Sequence, residues 1–158
     1  MLVRTSLLVV ALLFVSGCGS SGGVMTKPID LSTPEAAILS LEEAYRAKDV
    51  NAAVKCKDFR TEAVLMLQKV TPQFANDAEI VTQTTEVLEL GFRSEMKKKG
   101  FPDFRGVTST FKNKKPFRNS GDIVELTETC VDGRGTTTTN QLVVAKTEPG
   151  WRIVTVVE

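Results

Sequence analysis

Apolar and polar positions follow a helical rhythm up to Gly100 and a strand-like one after Pro102. Ser32-Thr33-Pro34-Glu35 combines a hydroxyl cap, a first-turn proline and an acid at the positive end of a helix dipole, which predicts a helix from about Pro34. Ile38, Leu41 and Tyr45, with Ala37 and Ala44 beside them, then recur at spacings of three and four as one buried stripe. That stripe ends near Lys48. Asp49 caps a second helix, with Ala52, Cys56, Phe59, Ala63 and Val70 on one face and Lys55 and Lys57 pointing elsewhere. Thr71-Pro72 interrupts the pattern, and Asn76 or Asp77 restarts it. Ile80, Thr84, Leu88, Phe92 and Met96 carry the third helix toward Gly100, with Lys97, Lys98 and Lys99 at the negative end of its dipole.

Beyond Pro102 the texture is β. Val107 to Phe111, Asp122 to Val131, Thr136 to Lys146 and Trp151 to Val157 are rich in Thr, Val, Ile and aromatics, and turns containing Gly121, then Gly133 and Gly135, then Gly150 separate the four. Connections this short make consecutive strands antiparallel neighbours. The fold class expected is α+β, with N-terminal helices packed on a curved antiparallel four-stranded meander.

A third texture precedes both. Behind Arg4, Leu7 to Val15 is an unbroken apolar run closed by Ser16-Gly17-Cys18, the layout of a secretory signal. The run is about half the length a bilayer core requires. Val15-Ser16-Gly17-Cys18 resembles the bacterial lipobox, which implies cleavage before Cys18 and acylation of that cysteine, palmitate included. An ordinary signal peptide or an uncut short anchor is the alternative. The expected division is a signal peptide over 1–17, a lipidated flexible tether over 18–32 and one domain over 33–158. Gly19, where an aspartate would favour inner-membrane retention in enteric bacteria, points to the outer membrane facing the periplasm. Membrane lipid, reached through acylated Cys18, is the first partner this implies.

Composition narrows the chemistry. Removing the leader takes 17 of 158 residues and one base, Arg4, and so leaves 141 residues with 19 basic and 19 acidic side chains. A balanced charge gives no field to draw nucleic acid, which is not expected as a partner. There is no histidine, so the usual general base and commonest metal ligand are missing. No phosphate loop is present, and neither metal nor cofactor is expected. Of three cysteines, lipidation would use Cys18; Cys56 and Cys130 then either form a disulfide or act as two separate small hydrophobes.

The helix-then-meander order, the opening Pro34-Glu35-Ala36-Ala37, the step Ala47-Lys48-Asp49-Val50-Asn51-Ala52-Ala53 and the closing Gly150-Trp151-Arg152-Ile153-Val154 resemble the nuclear transport factor 2-like superfamily, also called cystatin-like or SnoaL-like. Many of its members place a hairpin before the third helix, and no strand is evident here between Phe59 and Asp77. The resemblance implies a cone, open as a pocket in enzymes and filled or repurposed in others. Alternation puts Val124, Leu126, Glu128 and Cys130 on one strand face, so Glu128 would line that cone if Leu126 faces the helices. Glu128 and Asp58 are the weak catalytic candidates; a solvated or lysine-paired Glu128 and a solvated Asp58 are the plainer readings. Asp103 reads as a turn residue, Trp151 as a core or rim plug, and Thr136 to Thr139 as sheet surface. Lys112, Lys114 and Lys115 could join the three helix-end lysines in a basic patch. A neutral chain without histidine fits binding of a ligand or protein better than catalysis, and the family it resembles includes immunity proteins that neutralise toxins of competing bacteria. A carboxylate-dependent isomerase, dehydratase or cyclase and a structural envelope component are the alternatives.

Overall fold

The structure, a computed structural model, describes residues 27–156. The lipobox, Cys18 and the first part of the tether lie outside them. Four helices precede four strands: α1 (Pro34–Arg46), α2 (Val50–Lys55), α3 (Phe59–Val70), α4 (Ala78–Lys99), β1 (Thr108–Pro116), β2 (Ile123–Val131), β3 (Thr137–Thr147) and β4 (Gly150–Val154). The sheet runs in the order β1-β2-β3-β4 with every pair antiparallel, so the α+β class and the four-stranded meander are as expected.

Side-chain caps set the helix starts. Thr33 Oγ1 accepts from Ala36 N at 3.1 Å, Asp49 Oδ1 from Ala52 N at 2.9 Å, and Asp77 Oδ1 from Glu79 N and Ile80 N. Three helices were expected, and among the described residues four α-helices are found. The helical spacing of Ala52, Cys56, Phe59 and Ala63 continues across a break at Cys56–Asp58 that tertiary bonds impose. Ile153 N donates to Cys56 O and Asp58 N donates to Ile153 O, which lays this segment beside β4 as a parallel bridge. The helix then restarts with Asp58 as its cap.

The tether boundary also moves. Ile29 and Leu31 pack against the core, and Asp30 N donates to Ser40 Oγ at 2.9 Å. Trp151 N donates to Leu31 O at 2.8 Å, and a Cβ on Gly150, whose φ is 126°, would run into that same carbonyl. Residues 29–31 therefore belong to the domain.

The main core lies between α1 and one sheet face, where Ala37, Ile38, Cys56, Leu126, Val144 and Ile153 meet, with the half-buried Trp151 beside them. The opposite face is used as well: Val143, Ala145 and Val154 pack with Leu65 of α3 and with Phe117. β1 runs past Phe111 to Pro116, with a register shift between Lys112 and Lys115 and Asn113 at φ 56°. The lysines are partly neutralised, since Lys99 pairs with Glu95, Lys114 with Glu35 and Lys115 with Glu125.

Candidate functional site

Strand alternation carries Glu128 inward with Leu126. Leu126 is 1% exposed and Glu128 3%, so the solvated alternative for Glu128 does not hold. In the sheet Glu128 lies between Phe111 of β1 and Asn140 of β3, and Asn140 Nδ2 donates to its Oε2 at 2.9 Å. Cys130, next on the same face, has Ser109 Oγ at 3.5 Å.

Over this sheet face α1 places a second acid, Glu42, which is 2% exposed. It follows Ile38 by four residues, and Arg46 follows it by four. Arg46 donates to Glu42 Oε2 at 2.8 Å and to Glu43 Oε2 at 3.2 Å, while its Nε donates to Phe104 O at 3.0 Å. Among the described residues Glu42 Oε1 has no hydrogen-bond partner. Burial pushes the Glu42 carboxyl above the usual carboxylate range; the nearby Ser109 hydroxyl opposes the shift, the charge of Glu128 adds to it, and Arg46 opposes it. The Cys130 thiol is raised to about 11, first by burial. That thiol is a poor nucleophile.

The cluster thus contains a carboxyl group that takes up its proton more readily than an ordinary glutamate, next to another carboxyl group, which is the electrostatic arrangement of an acid–base pair. Access is what it lacks, because Glu42 on the inner side of α1 and Glu128 on the sheet below it are both buried. Among the described residues no three His, Cys, Asp or Glu side chains converge as metal ligands would.

The other expected residues are elsewhere. Asp58 is the cap of α3, accepting from Thr61 N at 3.0 Å and from the Thr61 hydroxyl, and it does not join Glu128. Asp103 is a turn residue whose carboxyl Arg105 pulls down to about 2 through hydrogen bonds. Cys56 and Cys130 are free thiols. The disulfide alternative fails on geometry. Cys56 bonds to Ile153, which lies opposite Val144 and through it Val124, and Cys130 is six residues further along β2. At ~3.3 Å per residue that is roughly 20 Å, far beyond the reach of a bridge. Burial raises the Cys56 thiol to about 11, with Arg152 opposing.

Lys57 corrects a further expectation. Instead of pointing to water with Lys55 it is 7% exposed. Its Nζ donates to Thr155 Oγ1 at 2.6 Å and pairs with Glu62 Oε2 at 3.4 Å, between the rings of Phe59 and Phe92 at 5.3 and 5.4 Å. Glu62 Oε2 also accepts from Thr155 N at 3.1 Å. Burial lowers the Lys57 pKa, and Glu62 opposes that shift. These groups line a hollow of about 280 Å³ whose other wall is α4 at Val87, Gly91 and Phe92. Val87 and Leu90, one turn apart on α4, stand 67% and 66% exposed. Neither falls in the Ile80-Thr84-Leu88-Phe92-Met96 stripe, so their exposure was legible.

No family model matches the chain, and no curated protein does. Among solved structures it is similar to a crystal structure described as that of an NTF2-like transpeptidase from Campylobacter jejuni, at 12% identity over 78% of this chain and 99% of that one, with a TM-score of 0.40. A likeness of that degree bears on neither activity nor substrate. Fold and site define an α+β domain with a sealed acidic cluster on one side and an exposed apolar helix face on another.

Proposed function

We propose that this chain is a lipid-anchored protein of the bacterial envelope whose nuclear transport factor 2-like domain binds a protein partner and does not catalyse. The observation that carries the binding reading is the face of α4, where Val87 and Leu90 stand in water beside the Phe59–Phe92 hollow. Exposed apolar side chains at a concave edge are what a partner's apolar group would cover. The sealed acids support the same reading, since a substrate has no route to Glu42 or Glu128. The anchor rests on Leu7 to Cys18, and Gly19 supports the outer membrane facing the periplasm. A toxin of a competing bacterium, neutralised on the α4 face, is the sharpest form of the proposal.

A second reading draws on Glu42, whose unpartnered oxygen and raised pKa favour a carboxylate-dependent isomerase, dehydratase or cyclase. Two experiments test the choice. Radiolabelled palmitate is expected to enter the wild-type chain and not Cys18→Ser; equal labelling of both would remove the anchor. A turnover lost in both Glu42→Gln and Glu128→Gln would replace the binding role with the enzymatic one.

A further inference from the structure

On the far side of the molecule from the acidic cluster, α3 lies against the outer sheet face through Leu65, and between it and the Phe117–Ser120 turn runs an open groove of about 410 Å³. That volume falls within the range of ligand sites, roughly 300–1,000 Å³, whereas the Lys57 hollow falls below it. Val64, Leu65, Phe117 and Ile123 form the apolar part of its walls, and the uncharged Thr61, Gln68 and Ser120 complete them. Arg60 rises on the α3 side and Arg118 on the turn side, and no acidic residue lines the groove.

These two cations differ from most of their kind in this domain. Arg46, Arg93, Arg105 and Arg134 each pair with a carboxylate. Among the described residues neither Arg60 nor Arg118 has an acidic partner. Arg118 instead lays its guanidinium 4.9 Å from the centre of the Phe117 ring, which keeps it at the groove's edge. Two uncompensated guanidinium groups at the rim of an apolar trough match a ligand with a hydrocarbon body and an anionic head. The acyl groups expected on Cys18 lack the anion, and a nucleic acid lacks the apolar body.

We infer that the groove between α3 and the Phe117–Ser120 turn binds a free medium-chain fatty acid, its chain along Val64, Leu65 and Ile123 and its carboxylate held by Arg60 and Arg118. The site is separate from the α4 face, so either can fail without the other.

The test uses the full chain carrying Cys18→Ser, which keeps acyl groups off the protein, titrated calorimetrically below micelle concentrations. Decanoate is expected to bind saturably at one site, with decanol and decyltrimethylammonium about tenfold weaker or worse. Arg60→Gln with Arg118→Gln is expected to weaken decanoate by about tenfold and leave decanol unchanged. Both arginines are exposed, so an unchanged thermal midpoint is expected and separates binding from folding. Amide shifts caused by decanoate should centre on Leu65 and Phe117. Absence of saturable decanoate binding, equal binding by the double variant, or binding of a short-chain phosphatidate without decanoate would each overturn the assignment.

Discussion

Glu42 on α1 and Lys57 beside α4 are almost equally withdrawn from water, at 2% and 7% exposure, yet their surroundings differ in kind. Lys57 has a hydroxyl, a carboxylate and two aromatic faces around one ammonium. Glu42 has one oxygen on Arg46, one without a partner, and a second acid nearby. A buried charge that is matched on every side ties elements together: here it fixes Thr155, past the end of β4, to the start of α3. Burial moves both groups toward their neutral forms, and at the half-matched acid the neighbouring carboxylate adds to that shift, which makes the fold sensitive to pH there. The matched cation is the one next to open surface, and the half-matched acid is the one sealed away.

Breaking the matched side should have the largest effect. Glu62→Leu strands the Lys57 ammonium and is expected to cost roughly 3 kcal/mol in urea unfolding, because an uncompensated buried charge remains. Lys57→Met added to Glu62→Leu should recover most of that loss. Equal instability of the single and double variants would mean that packing, not charge, sets the cost.

The half-matched side gives a smaller and pH-dependent effect. The Glu42 pKa is raised in the fold above its ordinary value of 4.5, so the native state binds more protons than the unfolded one as pH rises from that value. The stability this group contributes is full below pH 4.5 and is lost as pH rises through the folded pKa. Subtracting the Glu42→Gln stability profile from the wild-type profile should therefore give a difference that falls as pH rises above 4.5. A flat difference would remove the distinction between the two sites. The difference isolates Glu42 from Asp103 and Asp132, whose lowered pKa values weaken the fold only at more acid pH.

The least effect on stability is expected on α4. Val87→Asp and Leu90→Asp alter side chains two-thirds exposed and should change unfolding free energy by about 0.5 kcal/mol or less. Thermal or urea unfolding checks this, and a loss of several kcal/mol would show that the face is part of the packing.

The sequence revealed elements that close on local chemistry. Thr33, Asp49 and Asp77 cap where hydroxyls and acids precede apolar periodicity, and the meander follows its glycine turns. The inward turn of Glu128 followed from alternation with Leu126. The break at Cys56–Asp58 was hidden because the apolar residues on both sides remain in helical phase, while the bonds that open the helix come from Ile153, about a hundred residues away. That same break buries Lys57. Glu42 was legible and missed: it lies four residues after Ile38, but an acid on an apolar stripe is easily assigned to the wet side. The reach of β1 to Pro116 left little pattern, since its last five residues are exposed and have no inward side to mark.

The binding account concentrates on Leu90, and a photo-crosslinking amino acid at that position in living cells tests it most directly. The account predicts one discrete adduct in the envelope fraction, lost when Val87→Asp is added and absent when the crosslinker replaces Lys112 on β1. No adduct at position 90, or the same adducts from both positions, would contradict it.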